Sequence, residues 1–258
     1  MVGDNSMCKR IAVPTDTDWE QLHAFKLEFG DCWKNCGSYC CKTNHPQQDF
    51  SLMKQESAGM VFMSAEYDFL ARHLRLQDGF EETHRRHRFV FNEERNLAIE
   101  FDTAVCDLGG ICSMFEYRPL ICKFYPYYPV MSPVTREIDQ FITGSLIDQY
   151  WEDLNIQHPC WLHRVKGDQV KQAVRAAASA MDHPYFVFCM GAAAIFVEHV
   201  TQRCRADHAE LLQGDPRQFF RQWEVLYLTM KMIDKKVLAA DINDFYELVE
   251  RAYGAFEL

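Results

Sequence analysis

With 258 residues, 48% hydrophobic and 25% charged, the chain has the composition of a globular protein able to bury a core without cysteine staples. Its net charge of −10 excludes a general nucleic-acid binder, whose affinity rests on clustered Lys and Arg. The longest apolar run, 185–197, falls short of the roughly 20 residues a bilayer requires, so no membrane span is expected.

Thr17 and Glu20 have capping-box spacing, and Trp19, Leu22, His23 or Phe25, and Phe29 follow at helical intervals up to Gly30. A cysteine-rich stretch, Cys32 to Cys41, comes next. Ser64 is expected to cap a helix holding Tyr67, Leu70, Ala71 and Leu74. His84, Arg85, Arg86, His87 and Arg88 make a basic run, read as a solvated loop rather than a ligand patch. Arg88 to Phe91 and Leu97 to Phe101 predict a hairpin, with 92–96 as its turn and Leu97, Ile99 and Phe101 alternating with polar neighbours. Cys106 and Cys112 fall on a loop loosened by Gly109 and Gly110. The stretch 119–133, rich in Pro and Tyr, is expected to be irregular or extended.

From about residue 143 the pattern is helical. Asp168 is expected to cap a helix with Val170, Val174, Ala177 and Met181. Asp182, His183 and Pro184 start another, and Asp215-Pro216 repeats that signal before Phe219, Trp223, Leu226, Met230 and Ile233. A last helix carries Phe245, Leu248, Val249, Ala252 and Phe256. The expected fold is α+β and mainly α. Residues 1–165 would form an irregular, metal-nucleated, cysteine-rich domain with a small hairpin, and 166–258 a helical region packed on it.

Eleven cysteines are an odd count, and the first fifteen residues are polar and lack a signal-peptide run. A reducing cytoplasm is therefore expected, where clustered cysteines are more often metal ligands than disulfides. Four thiols lie within ten residues in Cys32-Trp-Lys-Asn-Cys36-Gly-Ser-Tyr-Cys40-Cys41. The gaps of three differ from the two-residue gap of zinc knuckles. They also differ from the radical S-adenosylmethionine signature, which would need a cysteine at Tyr39. A second cluster holds Cys106, Cys112 and Cys122, and Cys160 follows in His158-Pro159-Cys160-Trp161.

The segment from Cys112 through Tyr117-Arg118-Pro119, Cys122-Lys123 and Tyr125-Pro126 resembles the cysteine-cluster family described as a zinc- or iron-chelating domain. Cys36-Gly37 and Cys40-Cys41 resemble that family's first motif, Gly-x-Cys-Cys, with one extra residue in each gap. Cys160 falls where longer members carry Cys-Pro-Gly, here Cys-Trp-Leu. The resemblance covers about 28–166 and implies a metal centre.

Eight cysteines are therefore candidate ligands: Cys32, Cys36, Cys40, Cys41, Cys106, Cys112, Cys122 and Cys160. They permit two four-ligand sites, or one site with spare thiols. Adjacent side chains such as Cys40 and Cys41 are expected to diverge, so that a multi-iron cluster of the 4Fe-4S type, or a second site, would take both more readily than one zinc ion. Four thiolates leave a net charge of about −2 on either group. Arg118 and Lys123 are candidate cofactor-binding cations, with Lys34 and Lys42 nearby, and Arg118 has Glu116 or Asp107 as anchoring carboxylates. His158 and His163, and less so His23 and His45, are candidate nitrogen ligands. Cys8, Cys189 and Cys204 lie outside the pattern, the last two as packed helix cysteines. The expected function is a metal-binding protein, iron–sulfur or zinc, in redox or accessory work for a partner protein or enzyme, with the acidic helical half as partner surface. Two alternatives stay open: a metalloenzyme modifying a peptide, protein or RNA, and a structural zinc module for protein interaction.

Overall fold

The computed structural model describes residues 10–27, 29, 32–42, 45–53, 57–73, 75–76, 80–106 and 117–258. In chain order, the first elements are α1 (Asp16–His23), α2 (Cys32–Cys36), α3 (Tyr39–Lys42), β1 (Ala58–Met63), α4 (Ser64–Arg72), α5 (Phe80–Thr83), β2 (Arg85–Asn92) and β3 (Leu97–Cys106). They are followed by α6 (Leu120–Lys123), β4 (Tyr127–Met131), β5 (Ile138–Thr143) and a 3₁₀ turn at Leu146–Tyr150. The rest is α7 (Trp161–Ala176), a 3₁₀ turn at Ala178–Met181, α8 (Pro184–Asp207), α9 (Ala209–Leu212), α10 (Pro216–Leu228) and α11 (Lys235–Tyr253). The protein is α+β and mainly helical.

Helix α1 is capped two residues earlier than the sequence suggested. Thr15 accepts from the Asp18 N–H, and the Asp18 carboxylate takes the Thr15 N–H at 2.7 Å, closing the box reciprocally. The helix ends at His23, so Phe25 and Phe29 pack against the core from outside it. The stop expected at Gly30 lies outside the described residues. In α4, Ser64 is the first helical residue and Met63 the N-cap; Tyr67 and Leu70 are buried as expected, and Leu74 lies outside the described residues.

The hairpin is present and longer than expected. It joins a third strand that the sequence reading missed, giving an antiparallel sheet in the order β1-β3-β2. The basic run is strand β2, not a loop. Arg86 donates to both oxygens of Asp102 at 3.0 Å and to Asp68 at 2.7 Å, and His84 Nε2 lies 2.5 Å from Asp102. Asp102 is fully buried, so its charge survives only with these donors around it.

The stretch 119–133 is in part extended and in part helical: Pro119 precedes the single turn α6, and β4 pairs antiparallel with β5. The span α7 starts at Trp161. Two helices meet in it, because the backbone leaves helical values at Lys166 (φ −133°, ψ 19°); the second, with Val170 and Val174, starts just before Asp168, close to the expected start, with Asp168 inside its first turn. Val170 and Val174 are fully buried; Ala177 and Met181 are buried beyond the helix end. Asp215 caps α10, whose buried face is Phe219, Phe220 and Trp223; Met230 lies past its end and is exposed. Helix α11 begins ten residues before Phe245, capped by Asp234 on the N–H groups of Lys236 and Val237.

The apolar run 185–197 is the first half of α8. Of the described residues, this 24-residue helix alone is long and apolar enough to cross a membrane; 56% of its apolar window is buried in the protein, where it packs on α11 and β4. It serves as a core helix, with Phe186, Val187 and Phe188 fully buried.

Two apolar cores form, and each draws residues from both sides of position 165. One runs from Trp19 through the β1-β3-β2 sheet to α8 and α11. The other gathers Tyr39, Phe50, Tyr150, Trp151, Phe219, Phe220 and Trp223. The cysteine-bearing segments lie where these two cores meet.

Candidate metal centre

Seven of the eight candidate cysteines lie among the described residues; Cys112 does not, nor do Asp107 and Glu116. Cys32 and Cys36 sit on α2, which packs on α7 just beyond Cys160. Cys40 and Cys41 sit on α3, and Cys122 on α6; both helices pack on β1. Cys122 Sγ lies 3.8 Å from Met60 Sδ, on the inward face of β1. Cys106 ends β3 directly opposite Ala58, so it shares that face of the sheet. The cysteine stretch expected to be irregular is thus two single-turn helices with a bend between them.

That bend is made by Gly37 (φ 63°) and Ser38 (φ 64°), both left-handed. Glycine meets no Cβ penalty there, and the pair reverses the chain so that α3 returns toward β1. Helices of five and four residues are not stable alone, and tertiary anchors hold them. Tyr39 is buried and donates to Asp148 Oδ1 at 2.6 Å, while its hydroxyl accepts from Gln48 Nε2 at 3.0 Å.

Asp148 is a hub. Oδ1 also takes Trp151 Nε1–H at 2.9 Å. Oδ2 takes the Ser145 N–H at 2.5 Å, the Ser145 hydroxyl at 2.8 Å and the Tyr125 hydroxyl at 3.3 Å. Five donors thus satisfy one buried carboxylate, and two of them, from Tyr39 and Tyr125, tie the cysteine segment and the end of α6 to the same point. The sequence reading missed this hub. The Ser145-x-x-Asp148 spacing is a capping-box signal, but nothing local links it to a tyrosine 109 residues away.

The thiols perturb one another. Cys40 and Cys41 Sγ are 3.8 Å apart, so these adjacent side chains converge where the sequence reading expected them to diverge. Cys41 is lowered to about 7, first by its hydrogen bond with Cys40, against burial, with help from the charges of Arg118 and Lys42. Cys40, the proton-holding partner, is pushed well up by Cys41, by burial and by the proximity of Cys122 and Cys160. Its residue as a whole is exposed, yet its thiol is crowded by these neighbours. Burial pushes Cys160 up to about 12, and Cys36 adds to the shift. Cys40 of α3 therefore lies within electrostatic reach of Cys122 on α6 and of Cys160 before α7, and Cys160 within reach of Cys36 on α2.

The other candidates fall on both sides of this group. Arg118 acts on Cys41 by its charge. Lys123 is buried, and its ammonium donates to the carbonyls of His23 (2.5 Å) and Phe25 (3.3 Å), fastening α6 to the end of α1. His23 is buried between Trp19 and Phe69, with Nε2 3.5 Å from Glu66. His158 and His163 stack at 4.3 Å beside Cys160; burial lowers His163 and takes His158 down to about 4. His45 faces Trp151 edge-on at 4.7 Å. Cys189 and Cys204 are packed in α8, as expected, and Cys8 lies outside the described residues.

A cleft of about 430 Å³ opens beside the thiols, lined by Cys36, Tyr39, His45, Ile156, His158 and Arg164 among others. In chemistry the donor set fits a soft-ligand group, zinc or iron–sulfur, since both take thiolates. In geometry, no group of three or more His, Cys, Asp and Glu among the described residues is placed to hold a metal ion. Comparison with family models, with curated proteins and with solved structures finds no match for this chain.

Proposed function

We propose that this chain is a thiolate metal-binding protein of a reducing compartment, holding an iron–sulfur cluster or zinc where the two cores meet. It would serve redox or accessory work for a partner protein. The observation that carries this reading is convergence. Cys40 and Cys41, Cys122 and Cys160 come from segments about 40 to 120 residues apart, yet Cys40 responds to all the others. Isolated buried cysteines serving as small hydrophobes have no reason to gather so. The resemblance of 112–126 to a zinc- or iron-chelating family points the same way. Metal organisation of the cysteine-rich segments is part of this proposal.

Cys36, Cys40, Cys41, Cys122 and Cys160 would supply the ligands, with Cys32 and Cys106 adjoining. Bound there, an iron–sulfur group supplies one-electron transfer, and zinc a redox-inert cross-link. The chain's own contribution is positioning. Tyr39 and Asp148 hold α3 in place, Lys123 holds α6 to α1, and Arg118 offsets thiolate charge at Cys41.

Anaerobic purification followed by elemental analysis and an optical spectrum tests the proposal. A brown protein absorbing near roughly 400 nm with stoichiometric iron and sulfide supports the cluster, through thiolate-to-iron charge transfer. A colourless protein with one zinc selects zinc. Unchanged metal content in both Cys36→Ser and Cys122→Ser sinks the reading.

A further inference from the structure

Among the described residues nine large apolar side chains are exposed, and four of them, Val225, Leu228, Met230 and Val237, fall between the last turn of α10 and the first turn of α11. Each is 45–50% exposed. Apolar residues exposed singly need no explanation, but a concentration of them marks a surface that meets something other than water.

The same stretch is basic in an acidic chain. Residues 216–237 hold five cations, Arg217, Arg221, Lys231, Lys235 and Lys236, against two carboxylates, while the whole chain has a net charge of −10. Both carboxylates are turned to backbone amides. Glu224 is fully buried and takes the N–H groups of Ser51, Leu52 and Met53; Asp234 caps α11 on the N–H groups of Lys236 and Val237. Arg221 pairs with Asp49, but the three lysines are exposed and form no ion pair with a described residue.

The chain's path turns these groups outward. The N–H of Met230 donates to the Tyr227 carbonyl at 2.9 Å and that of Lys231 to the Leu226 carbonyl at 3.0 Å, the paired bonds of a Schellman turn. Met230 takes its left-handed position (φ 56°), where glycine would be free of strain. The turn sends Met232 into the second core and leaves Met230 and Lys231 outside. The fold thus holds a methionine under strain and half in solvent, and strain of this kind gathers where a ligand is met.

The make-up of the patch selects its partner. Protein interfaces concentrate aromatic and Arg anchors and are poor in Lys. Here α10 turns its rings inward: Phe219, Phe220 and Trp223 are buried, and Tyr227 stacks on Trp223 at 5.0 Å. What faces out is aliphatic, with lysines around it. Lysine stems lie along apolar surface while their ammonium groups reach anionic headgroups, and aliphatic side chains enter the acyl boundary without a matching pocket. We propose that the turn from α10 to α11 is a peripheral docking site for an anionic lipid surface, with Leu228, Met230 and Val237 entering the interface and Lys231, Lys235 and Lys236 on the headgroups. It attaches the protein to one face of a bilayer and spans nothing. It stands whether or not the chain holds metal.

Co-sedimentation of the full chain with vesicles tests it, using phosphatidylcholine alone and phosphatidylcholine with about one-third phosphatidylserine. Binding to the anionic vesicles should be tighter by about tenfold or more and should weaken as salt is raised. The triple variant Lys231→Glu, Lys235→Glu, Lys236→Glu should lose about a hundredfold or more, each lysine being worth about fivefold near an anionic surface. Leu228→Asn should weaken binding about tenfold while leaving the salt response in place. All four positions are exposed, and circular dichroism checks that helix content is unchanged. No binding to anionic vesicles overturns the proposal and leaves the patch to an acidic protein. Equal binding to neutral and anionic vesicles overturns it, as does binding unchanged in both variants. Sedimentation without vesicles that Leu228→Asn abolishes overturns it in favour of a second copy of this chain.

Discussion

The helical core around α8 and α11 and the thiol-bearing shell around α2, α3 and α6 are held by different forces. Phe188 packs against Tyr246 and Phe256, Phe186 against Trp19, and all are fully or almost fully buried in one apolar cluster whose order along the chain already implies that burial. The shell has helices of four or five residues, fixed by a few polar bonds that reach across the sequence: Tyr39 to Asp148, and Lys123 to His23. Apolar burial is redundant and spread over many contacts, whereas a polar anchor concentrates its effect in one side chain. Damage to the core should therefore lower the stability of the whole molecule. Damage to an anchor should release one segment.

The largest expected effect is in the core. Phe188→Ala should cost about 3–5 kcal/mol in denaturant unfolding, from lost transfer energy and the cavity left behind, while metal per folded molecule stays constant. A fall in metal content of the folded fraction would break the comparison. Asp148→Ala should cost about 2–3 kcal/mol, since donors such as Tyr39 and Trp151 lose their acceptor in a buried setting. It should also lower metal content, which core damage should not; retention of full metal would show that α3 does not depend on this hub.

Asp102 gives the pH dependence. Burial would raise its carboxyl, but hydrogen bonds from Arg86 and His84 outweigh burial and hold it below the usual value. A carboxyl depressed in the folded state adds stability that is complete above its unfolded pKa of about 4 and is lost as pH falls through the folded value. Asp102→Ala should cost about 1–3 kcal/mol at neutral pH, and progressively less below about pH 4. An acid limb of the stability curve identical to that of the unmodified protein would refute this. The smallest effect is expected at the cap of α1. Thr15→Ala should lower stability by about 1 kcal/mol, and a loss above twice that in thermal unfolding would mean that α1 supports more than its own first turn.

Much of the fold was legible because its signals are local. Asp215-Pro216 opens α10, His183-Pro184 opens α8, and the alternation around Leu97 to Phe101 marks the hairpin. Boundaries moved where a stronger neighbouring cap existed, as at Thr15. Near Asp168 the expected start fell within two residues of a real one, and the helical turn from Trp161 to Val165 ahead of the kink at Lys166 was missed. Strand β1 was missed because its stabilisation comes from pairing with β3, about forty residues on. In the site, the cysteines announced themselves by number and spacing. Their anchors did not, since Tyr39, Asp148 and Lys123 acquire their roles only through partners that the chain brings from far away. The basic run misled for the same reason: Asp102, buried beneath it, is what makes Arg86 part of the sheet.

The left-handed bend at Gly37 and Ser38, followed by the Tyr39 anchor, gives the thiol-bearing segment a hinge and a latch. Breaking the Tyr39–Asp148 bond frees α3 to swing about that bend while α8 and α11 stay folded. Amides of 38–42 should then exchange with solvent through a shallow local opening, orders of magnitude faster than those of the core helices. Access to the half-buried Cys41 would be set by how often that latch opens, and not by how often the protein unfolds.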